Sequence, residues 1–560
     1  MELMYILNVI PLIKIPRPNA QILSYFSDSK ILPGSLVKIS IRNRKINAVV
    51  LECKSLDQER LRLKKYINFE IKPIEKIISK ESILNAKQSE LLSWLSDYYF
   101  APIGLFARIF ISKNFETEDA KYNTQNLILT PKIKSLVFAP FKKLKSITIE
   151  NSESDLYKSW GRKPYYNAKD VAIQLAKIHH AKLTLKSSFP SIKDYYWSKQ
   201  KKYKMEIARP RRVSLGLKNS NLVVDMREEM KNKNYSAISE KLQDELRGAK
   251  KSILFIARRG TSTVVLCRDC GYIAKCPSCE IPMVYHEDKP SRRLVCHHCG
   301  KDDIAPVLCP NCKSIKIKYL GAGTQKIESE IKKLFPASPT GGPDKKIFRL
   351  DSDISEKPKE QQKIITEFNN STNAILIGSQ MILNKGLKAN FVAIVSIDTI
   401  LNLPDFESPE RVFKIINQLM QIANNDFLIQ TYNPENKTIK LAIENNFNKF
   451  YNEEIEARKK FNYPPFSEII KLSYSHKDFT KAKNEGIILS EKLKIQISNI
   501  KCNTSNFKLL GPTPAFISRE KGTYKWNIII KSQLTTEERN KILIIVPPTW
   551  EIEVNPENLL

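Results

Sequence analysis

Eight of the ten cysteines fall between Cys267 and Cys312, in four Cys-x2-Cys pairs: Cys267 with Cys270, Cys276 with Cys279, Cys296 with Cys299, and Cys309 with Cys312. Each pair reads as a knuckle, a tight turn that puts both thiolates on one side with backbone N–H groups facing the sulfurs. Two knuckles supply the four tetrahedral thiolates of one zinc ion, so four knuckles make two closed sites. Gly271 and Gly300 follow the second cysteine of their pairs, where a positive φ is useful. Pro277 and Pro310 follow the first cysteine of theirs and stiffen the turn. A four-thiolate site leaves no position for substrate, so the expected role is structural, replacing a core that so short a segment cannot build. Four disulfides, unmetallated thiols and an iron–sulfur cluster are the competing readings, and the spacing favours zinc. Spacing alone fits nested and sequential pairing of the knuckles equally. His286, His297 and His298 are expected at the surface or facing DNA, and Cys53 and Cys502, without knuckle partners, as plain buried residues.

The elements that must position these groups occupy a chain of 560 residues, long enough for two to four domains. Lys+Arg exceed Asp+Glu by 91 to 59, a formal charge of +32. That charge suits neutralisation of phosphates, although an acidic partner or a membrane surface would satisfy it equally. The apolar run Met4–Ile13 is interrupted by Pro11 and lacks a basic flank and a cleavage site, so a first strand is expected there rather than a signal peptide. No transmembrane stretch is present in the sequence. A reducing, cytoplasmic setting follows as the expectation, in which cysteines are more often metal ligands than disulfides.

Leu36–Ile39 and Ala48–Leu51 flank the polar turn Arg42–Lys45 and predict a hairpin; a helix is expected near Ala86 to Tyr99. Strands are expected at Ser146–Ile149 and Ala181–Leu185 around a helix from Ala168 to His179, and again at Ala374–Ile377 and Val392–Val395. This alternation predicts α/β organisation. Helices near Lys326–Leu334 and Lys481–Ile495 complete the pattern.

The cysteine segment and its flanks resemble the primosomal replication-restart helicase family, PriA (primosomal protein N-prime), in a shortened form. The resemblance rests on Ile256–Gly260, Cys267–Cys279, Cys296–Gly300, Cys309–Cys312, Leu320–Gln325, Leu334–Pro336 and Arg349–Asp353. It continues in Ile377–Met381, Lys385–Gly386, Leu403–Phe406, Gln430–Pro434, Tyr463–Phe466, Leu510–Pro512 and Tyr524–Trp526, and upstream in Asp97–Tyr99, Pro102–Gly104, Phe138–Lys142 and Tyr165–Asp170. The resemblance implies a multidomain α/β and α+β chain. Its parts would be a β-rich N-terminal DNA-binding domain (1–115), a linker (116–125), and a degenerate first RecA-like lobe (126–250). A degenerate second lobe (251–265 and 316–436), an inserted two-zinc ribbon module (266–315) and an α+β C-terminal domain (437–560) would follow. It also implies nested pairing: Cys267, Cys270, Cys309 and Cys312 on one zinc, Cys276, Cys279, Cys296 and Cys299 on the other.

Against the family's pattern, the motor elements are altered. The phosphate-cradling Gly-x4-Gly-Lys-Ser/Thr loop is missing, the chain passing from Leu127–Pro131 almost directly to Leu136–Pro140. Glu150-Asn151-Ser152-Glu153 stands where Asp-Glu-Glu-His would bind Mg2+ and orient water, and Lys186–Pro190 replaces the coupling motif Gly-Ser-Ala-Thr-Pro. Gln421–Asn425 stands at the last motif, with Asn425 in the place of the first arginine. The expectation is a protein without helicase or ATPase activity, needing neither ATP nor Mg2+.

DNA binding is then the expected activity. Tyr25, in Leu23-Ser24-Tyr25, stands at the family's 3′-end pocket, where it would stack on a base. Arg519, Lys521, Tyr524, Lys525 and Trp526 interleave basic and aromatic residues suited to fork or single-strand contact. The resemblance implies recognition of forked or 3′-ended DNA and help in reloading the replicative helicase, at the nucleoid. Single-strand-binding protein, primosome proteins and the replicative helicase or its loader would be partners. Two other readings compete: an active ATP-dependent 3′→5′ DNA helicase with an unrecognised ATP site, and a protein-only primosome scaffold.

Overall fold

The structure is a computed structural model that describes residues 4–17, 19–56, 71–112, 125–159, 163–208, 222–257, 265–267, 269–278, 281–288, 291–296, 299–315, 317–319, 324–336, 345–351, 358–383, 385–403, 405–499, 507–520, 522–556 and 559. The N-terminal part is a five-stranded antiparallel sheet in the order Leu23–Ser27, Tyr5–Pro11, Arg44–Ser55, Leu36–Ile41, Lys76–Ser79. Arg42 and Asn43 both take positive φ (46° and 62°), the backbone that closes a two-residue hairpin with the right-handed strand twist. Leu7, Val9, Tyr25, Val37, Ile39 and Val50 form a core on one face of this sheet. The helices Ala86–Tyr98 and Ile103–Ser112 follow, the first opened by a capping box between Asn85 and Gln88.

Two parallel sheets come next. The first has four strands in sequence order: Asn126–Leu129, Ser146–Ile149, Lys182–Ser187 and Lys204–Ile207. Its first crossover is a kinked 3-10 stretch, Pro131–Phe138, where the later crossovers carry the α-helices Ala168–His179 and Ile192–Lys199. The second sheet has six strands in the order Val223–Asp225, Ala423–Thr431, Ala389–Ser396, Lys251–Ile256, Ala374–Gly378, Lys346–Leu350. Its strands are buried on both faces, so successive residues alternate between two cores. Ile253, Phe255, Val392 and Ile394 join one cluster; Leu254, Ile256, Ala393 and Val395 join the other. Helices Pro358–Asn370, Ser408–Ile422 and Phe447–Lys460 cover the first face, and Glu240–Gly248 with Thr324–Leu334 the second.

The first-lobe range 126–250 needs correction. Val223–Asp225 pairs in parallel with Ala423–Thr431, and Leu242 and Leu246 of the helix Glu240–Gly248 pack on the six-stranded sheet. The second sheet therefore recruits chain from 223 onward. The cysteine module's own stalk, Val265–Cys267 paired with Ile317–Tyr319, likewise extends past 266–315. Inside the module, Val284–Asp288, Ser291–Val295 and Asp302–Ile304 form a three-stranded antiparallel sheet.

The C-terminal part is a four-stranded antiparallel sheet in the order Phe507–Glu520, Thr523–Ser532, Glu468–His476, Glu551–Val554. The helices Phe479–Asn499 and Thr536–Leu543 accompany it. Leu91, Leu95 and Phe106, Phe138 and Val171, and Leu472, Ile528 and Leu543 all belong to one continuous core, so the N-terminal helices, the first lobe and the C-terminal sheet are packed as a unit. Among the described residues no helix is long and apolar enough to cross a membrane.

Candidate metal centre and nucleic-acid interface

Among the described residues, three of the knuckles fold by the same local rule. The cysteine that opens each carries a carbonyl that accepts an N–H four residues on: Gly271 N–H to Cys267 O at 2.9 Å, Gly300 N–H to Cys296 O at 2.8 Å, and Lys313 N–H to Cys309 O at 2.8 Å. The closing residue must turn left-handed. Gly271 (φ 75°) and Gly300 (φ 79°) do so without penalty, while Lys313 (φ 60°) does so with a Cβ.

The sulfurs of Cys267, Cys270, Cys309 and Cys312 all lie within 4.8 Å of one another, and so do those of Cys276, Cys296 and Cys299; Cys279 lies outside the described residues. Individual separations are 3.6 Å for Cys267–Cys312, 3.5 Å for Cys270–Cys309 and 3.6 Å for Cys276–Cys299. Tetrahedral zinc with bonds of about 2.3 Å requires sulfurs about 3.8 Å apart, whereas a disulfide requires about 2.05 Å. The two groups therefore fit two zinc sites, and these thiols are not disulfide-bonded. The knuckles meet first with fourth and second with third. Burial pushes the Cys267 thiol up to about 12 in the absence of a cation, a cost that a bound dication removes by holding the group as thiolate.

The knuckle glycines are also where the module rests on its neighbours. A Cβ on Gly271 would stand 2.7 Å from the carbonyl oxygen of Tyr432 in the second lobe, and one on Gly300 would stand 3.0 Å from Cγ2 of Thr513 in the C-terminal sheet. Cys299 packs against the cluster of Tyr463, Ile469, Leu510, Ile529 and Leu559. His286, His297 and His298 have no described side chains. Cys53 is half-buried in the strand Arg44–Ser55 rather than fully buried, and Cys502 is outside the described residues.

The expected DNA contacts separate. Tyr25 is 5% exposed, its ring in the N-terminal core and its hydroxyl donating to Ser40 O at 2.7 Å. Tyr25 is thus a core residue and cannot offer a free face to a base. Trp526 is 7% exposed, edge-on to Phe479 at 6.0 Å, and is not an open stacking platform either. Tyr524 shares that face, 5.4 Å from the Phe479 ring, but Lys525 points to the other side of the sheet, because strand residues alternate. Lys525 therefore does not share the face of Tyr524 and Trp526. The side chain of Arg519, and all of Lys521, fall outside the described residues. Lys275 is exposed beside its knuckle, and Arg293 pairs with Asp302 at 3.3 Å.

At the end of the strand Asn126–Leu129 the chain enters Thr130-Pro131 and then the 3-10 stretch; the sequence has no glycine from 105 to 160. Pro131 has no N–H to offer there. Asn151 takes φ 49° just beyond Ser146–Ile149, and Asn425 lies exposed on the strand Ala423–Thr431. A cavity of about 690 Å3 lies where the two lobes and the C-terminal part meet, lined by Glu153, Lys169, Arg411, Lys414 and Arg458 among others. Four of its cations are engaged: Lys169 with Asp194 at 2.6 Å, Arg411 with Asp405 at 2.8 Å, Arg458 with Glu410 at 2.7 Å, and Lys414 with the carbonyl of Glu153 at 2.6 Å. Sequence reasoning missed this network, since a lone Lys or Arg on an amphipathic helix carries no sign of a partner far away in the chain.

Three segments match models of known domain families: residues 12–112 the 3′DNA-binding domain (3′BD) of PriA, residues 276–302 the PriA DNA helicase Cys-rich region (CRR) domain, and residues 459–545 the primosomal protein N C-terminal domain. The chain is similar to the replication restart protein PriA of Bacillus subtilis, 32% identical over 429 residues, which cover 74% of this chain and 51% of that protein. It is similar to the protein of the same name in Borreliella burgdorferi, 32% identical over 447 residues (76% and 64%), and in Chlamydia muridarum, 30% identical over 461 residues (79% and 59%). The chain thus spans between half and two thirds of the length of these curated relatives.

Proposed function

The chain is a relative of the replication restart protein PriA, and from that kinship we propose that it is a replication-restart DNA-binding protein that recognises forked or 3′-ended DNA without hydrolysing ATP. Two zinc ions, held by Cys267, Cys270, Cys309 and Cys312 and by Cys276, Cys279, Cys296 and Cys299, stiffen the cysteine module. Single-strand-binding protein, other primosome proteins and the replicative helicase or its loader are the partners this reading calls for, on the nucleoid in the cytoplasm.

The observation that carries the reading lies at the first strand of the four-stranded sheet. Binding the phosphates of ATP needs a glycine-rich turn of free N–H groups at a strand end, followed by a helix whose N-terminus faces them. Leu129 is followed instead by Thr130-Pro131 and a kinked 3-10 stretch. Lys169, Arg411 and Lys414 of the neighbouring cleft are already engaged with protein oxygens, which supports the same reading.

The test is fork-DNA binding with a salt titration beside a phosphate-release assay on the same preparation. Tighter binding to forks and 3′ overhangs than to random duplex, with no DNA-stimulated phosphate release, is expected. Phosphate release would establish the active helicase reading instead, and equal affinity for all duplexes would remove the fork-binding one.

A further inference from the structure

A second cavity, of about 440 Å3, lies at the seam between the cysteine module and the second lobe, separated from the inter-lobe cleft by Phe406 and Arg458, which line both. Ile273 and Ile281 line it from the module, Leu401 and Leu403 from the second lobe, and Phe461 from the end of the helix Phe447–Lys460. The size is that of a small-ligand pocket, and apolar walls with few polar groups are the usual construction of one.

Its polar groups define the ligand. Asn402 lines the cavity and is only 4% exposed, yet its Nδ2 has no acceptor among the described residues. A buried amide donor of this kind normally has a partner, so an acceptor is owed to it. Glu454 lines the same cavity, and its contact within ion-pair range is Arg458 Nε at 3.8 Å, too long for a hydrogen bond. Burial raises that carboxyl to about 7, so it either donates or accepts near neutrality. Asp398, also on the wall, is committed: Thr431 Oγ1 donates to it at 2.8 Å and the Tyr432 N–H at 3.1 Å. Arg458 pairs through Nη2 with Glu410 at 2.7 Å, while its Nε has no hydrogen-bond acceptor among the described residues.

A phosphate inside would meet three carboxyl groups, Asp398, Asp405 and Glu454, against two cations, Lys275 and the already paired Arg458. An aliphatic group would leave Asn402 unsatisfied. What fits is an uncharged, largely apolar ring carrying an acceptor and a donor on its edge. Lys275, exposed at the rim, is placed to meet a phosphate left outside.

We propose that this cavity takes one unpaired nucleobase, its ring between the module's isoleucines and the second lobe, with Asn402 Nδ2 donating to a ring acceptor and the Glu454 carboxyl meeting an N–H. The base comes from single-stranded DNA, which rests on the DNA-binding reading above; a free nucleoside offers the same chemistry and is the alternative source. The module then acts as one jaw of a base pocket as well as a rigid insert.

The test uses the full zinc-loaded chain with two probes: a single-stranded oligonucleotide carrying one 2-aminopurine, and 2-aminopurine riboside alone. Insertion unstacks the probe, so its fluorescence rises on oligonucleotide binding. Ile281→Trp, which fills the cavity, should abolish the rise, and Asn402→Leu should reduce it. Asn402→Leu should also weaken base capture about tenfold, the scale of one lost buried hydrogen bond. Oligonucleotide affinity measured by anisotropy should change little, since phosphate contacts dominate it. Each variant is checked by its zinc content and melting temperature, and Asn402→Gln, which restores the donor, should recover part of the signal. An oligonucleotide that binds without a fluorescence rise overturns the proposal. If no oligonucleotide binds, the DNA-binding reading fails, and riboside binding that Ile281→Trp blocks still supports the pocket as a nucleoside site; absence of both sinks it.

Discussion

Lys414, on the helix Ser408–Ile422 of the second lobe, donates to the main-chain carbonyl of Glu153 in the first lobe at 2.6 Å. Tyr451 and Pro190 make a second clasp across the same divide, the phenol donating to the carbonyl at 2.6 Å, and Tyr451 stacks on Tyr195 at 4.8 Å. Lobes joined this way are held in one arrangement. Lys414→Met should lower stability by about 1.5–3 kcal/mol, the worth of a partly buried charge-assisted hydrogen bond. Combining it with Tyr451→Phe in a double-mutant cycle should reveal coupling, since both act on the same interface. Unchanged melting in both variants would mean that the lobes are held by other contacts.

Arg539 is 1% exposed and joins distant parts of the chain. It pairs with Glu468 at 2.7 Å and donates to the carbonyls of Asp97 and Tyr98 at 2.7 and 2.9 Å, capping the end of the helix Ala86–Tyr98. Arg539→Ala leaves the half-buried Glu468 carboxylate without its cation and takes a donor from each of the two carbonyls, and should cost about 3 kcal/mol. Chemical denaturation is the check, with the N-terminal part expected to become protease-sensitive before the rest.

Zinc content should be two ions per chain by metal release on thiol modification, one for each cysteine group. Cys276→Ser and Cys312→Ser should each lower it to one. Cys312 is the exposed member of its group, so chelators should empty that site first. A variant that keeps both ions would show that the mutated sulfur is not a ligand.

His179 sets a pH limit. Its Nδ1 accepts the Leu144 N–H at 3.1 Å and stands 3.2 Å from Lys87 Nζ, and burial together with the Lys87 charge lowers it from 6.5 to about 4. The folded protein keeps this imidazole neutral where the unfolded chain would protonate it. Stability is therefore complete above about pH 6.5 and declines as pH falls toward 4. The denaturant midpoint followed over that window should drop, and His179→Gln should flatten the decline.

Tyr25 belongs to the N-terminal core, so its variants should report on stability. Tyr25→Phe removes only the bond to Ser40 and should cost about 1 kcal/mol, whereas Tyr25→Ala should cost about 3–5 kcal/mol. Neither should selectively alter preference for a recessed 3′ end. A selective loss of that preference by the properly folded Tyr25→Phe protein would restore a direct DNA role.

What could be read from residues alone follows from how local each rule is. The knuckles were legible because Cys-x2-Cys with a following glycine dictates its own turn. Val392–Val395 and Ala374–Ile377 were legible because a strand buried on both faces is apolar at every position. Tyr25 was misread because an aromatic residue on an alternating strand has the same local sequence whether its face is wet or dry. Tyr524, Lys525 and Trp526 looked like one surface because adjacency in sequence hides the alternation of sides. The lobe boundary was missed because Val223–Asp225 is only three residues long. Lys414 and Glu153 are 261 residues apart, a pairing that only the folded chain reveals.

The two knuckle glycines carry a consequence beyond their turns. Gly271 lies against Tyr432 and Gly300 against Thr513, so each knuckle turn doubles as a seat for a different sheet. Withdrawal of the metal, or oxidation of the thiols, would relax the turns and unseat both neighbours together. Two sheets distant in the chain thereby share one dependence, on the turns that the cysteines close.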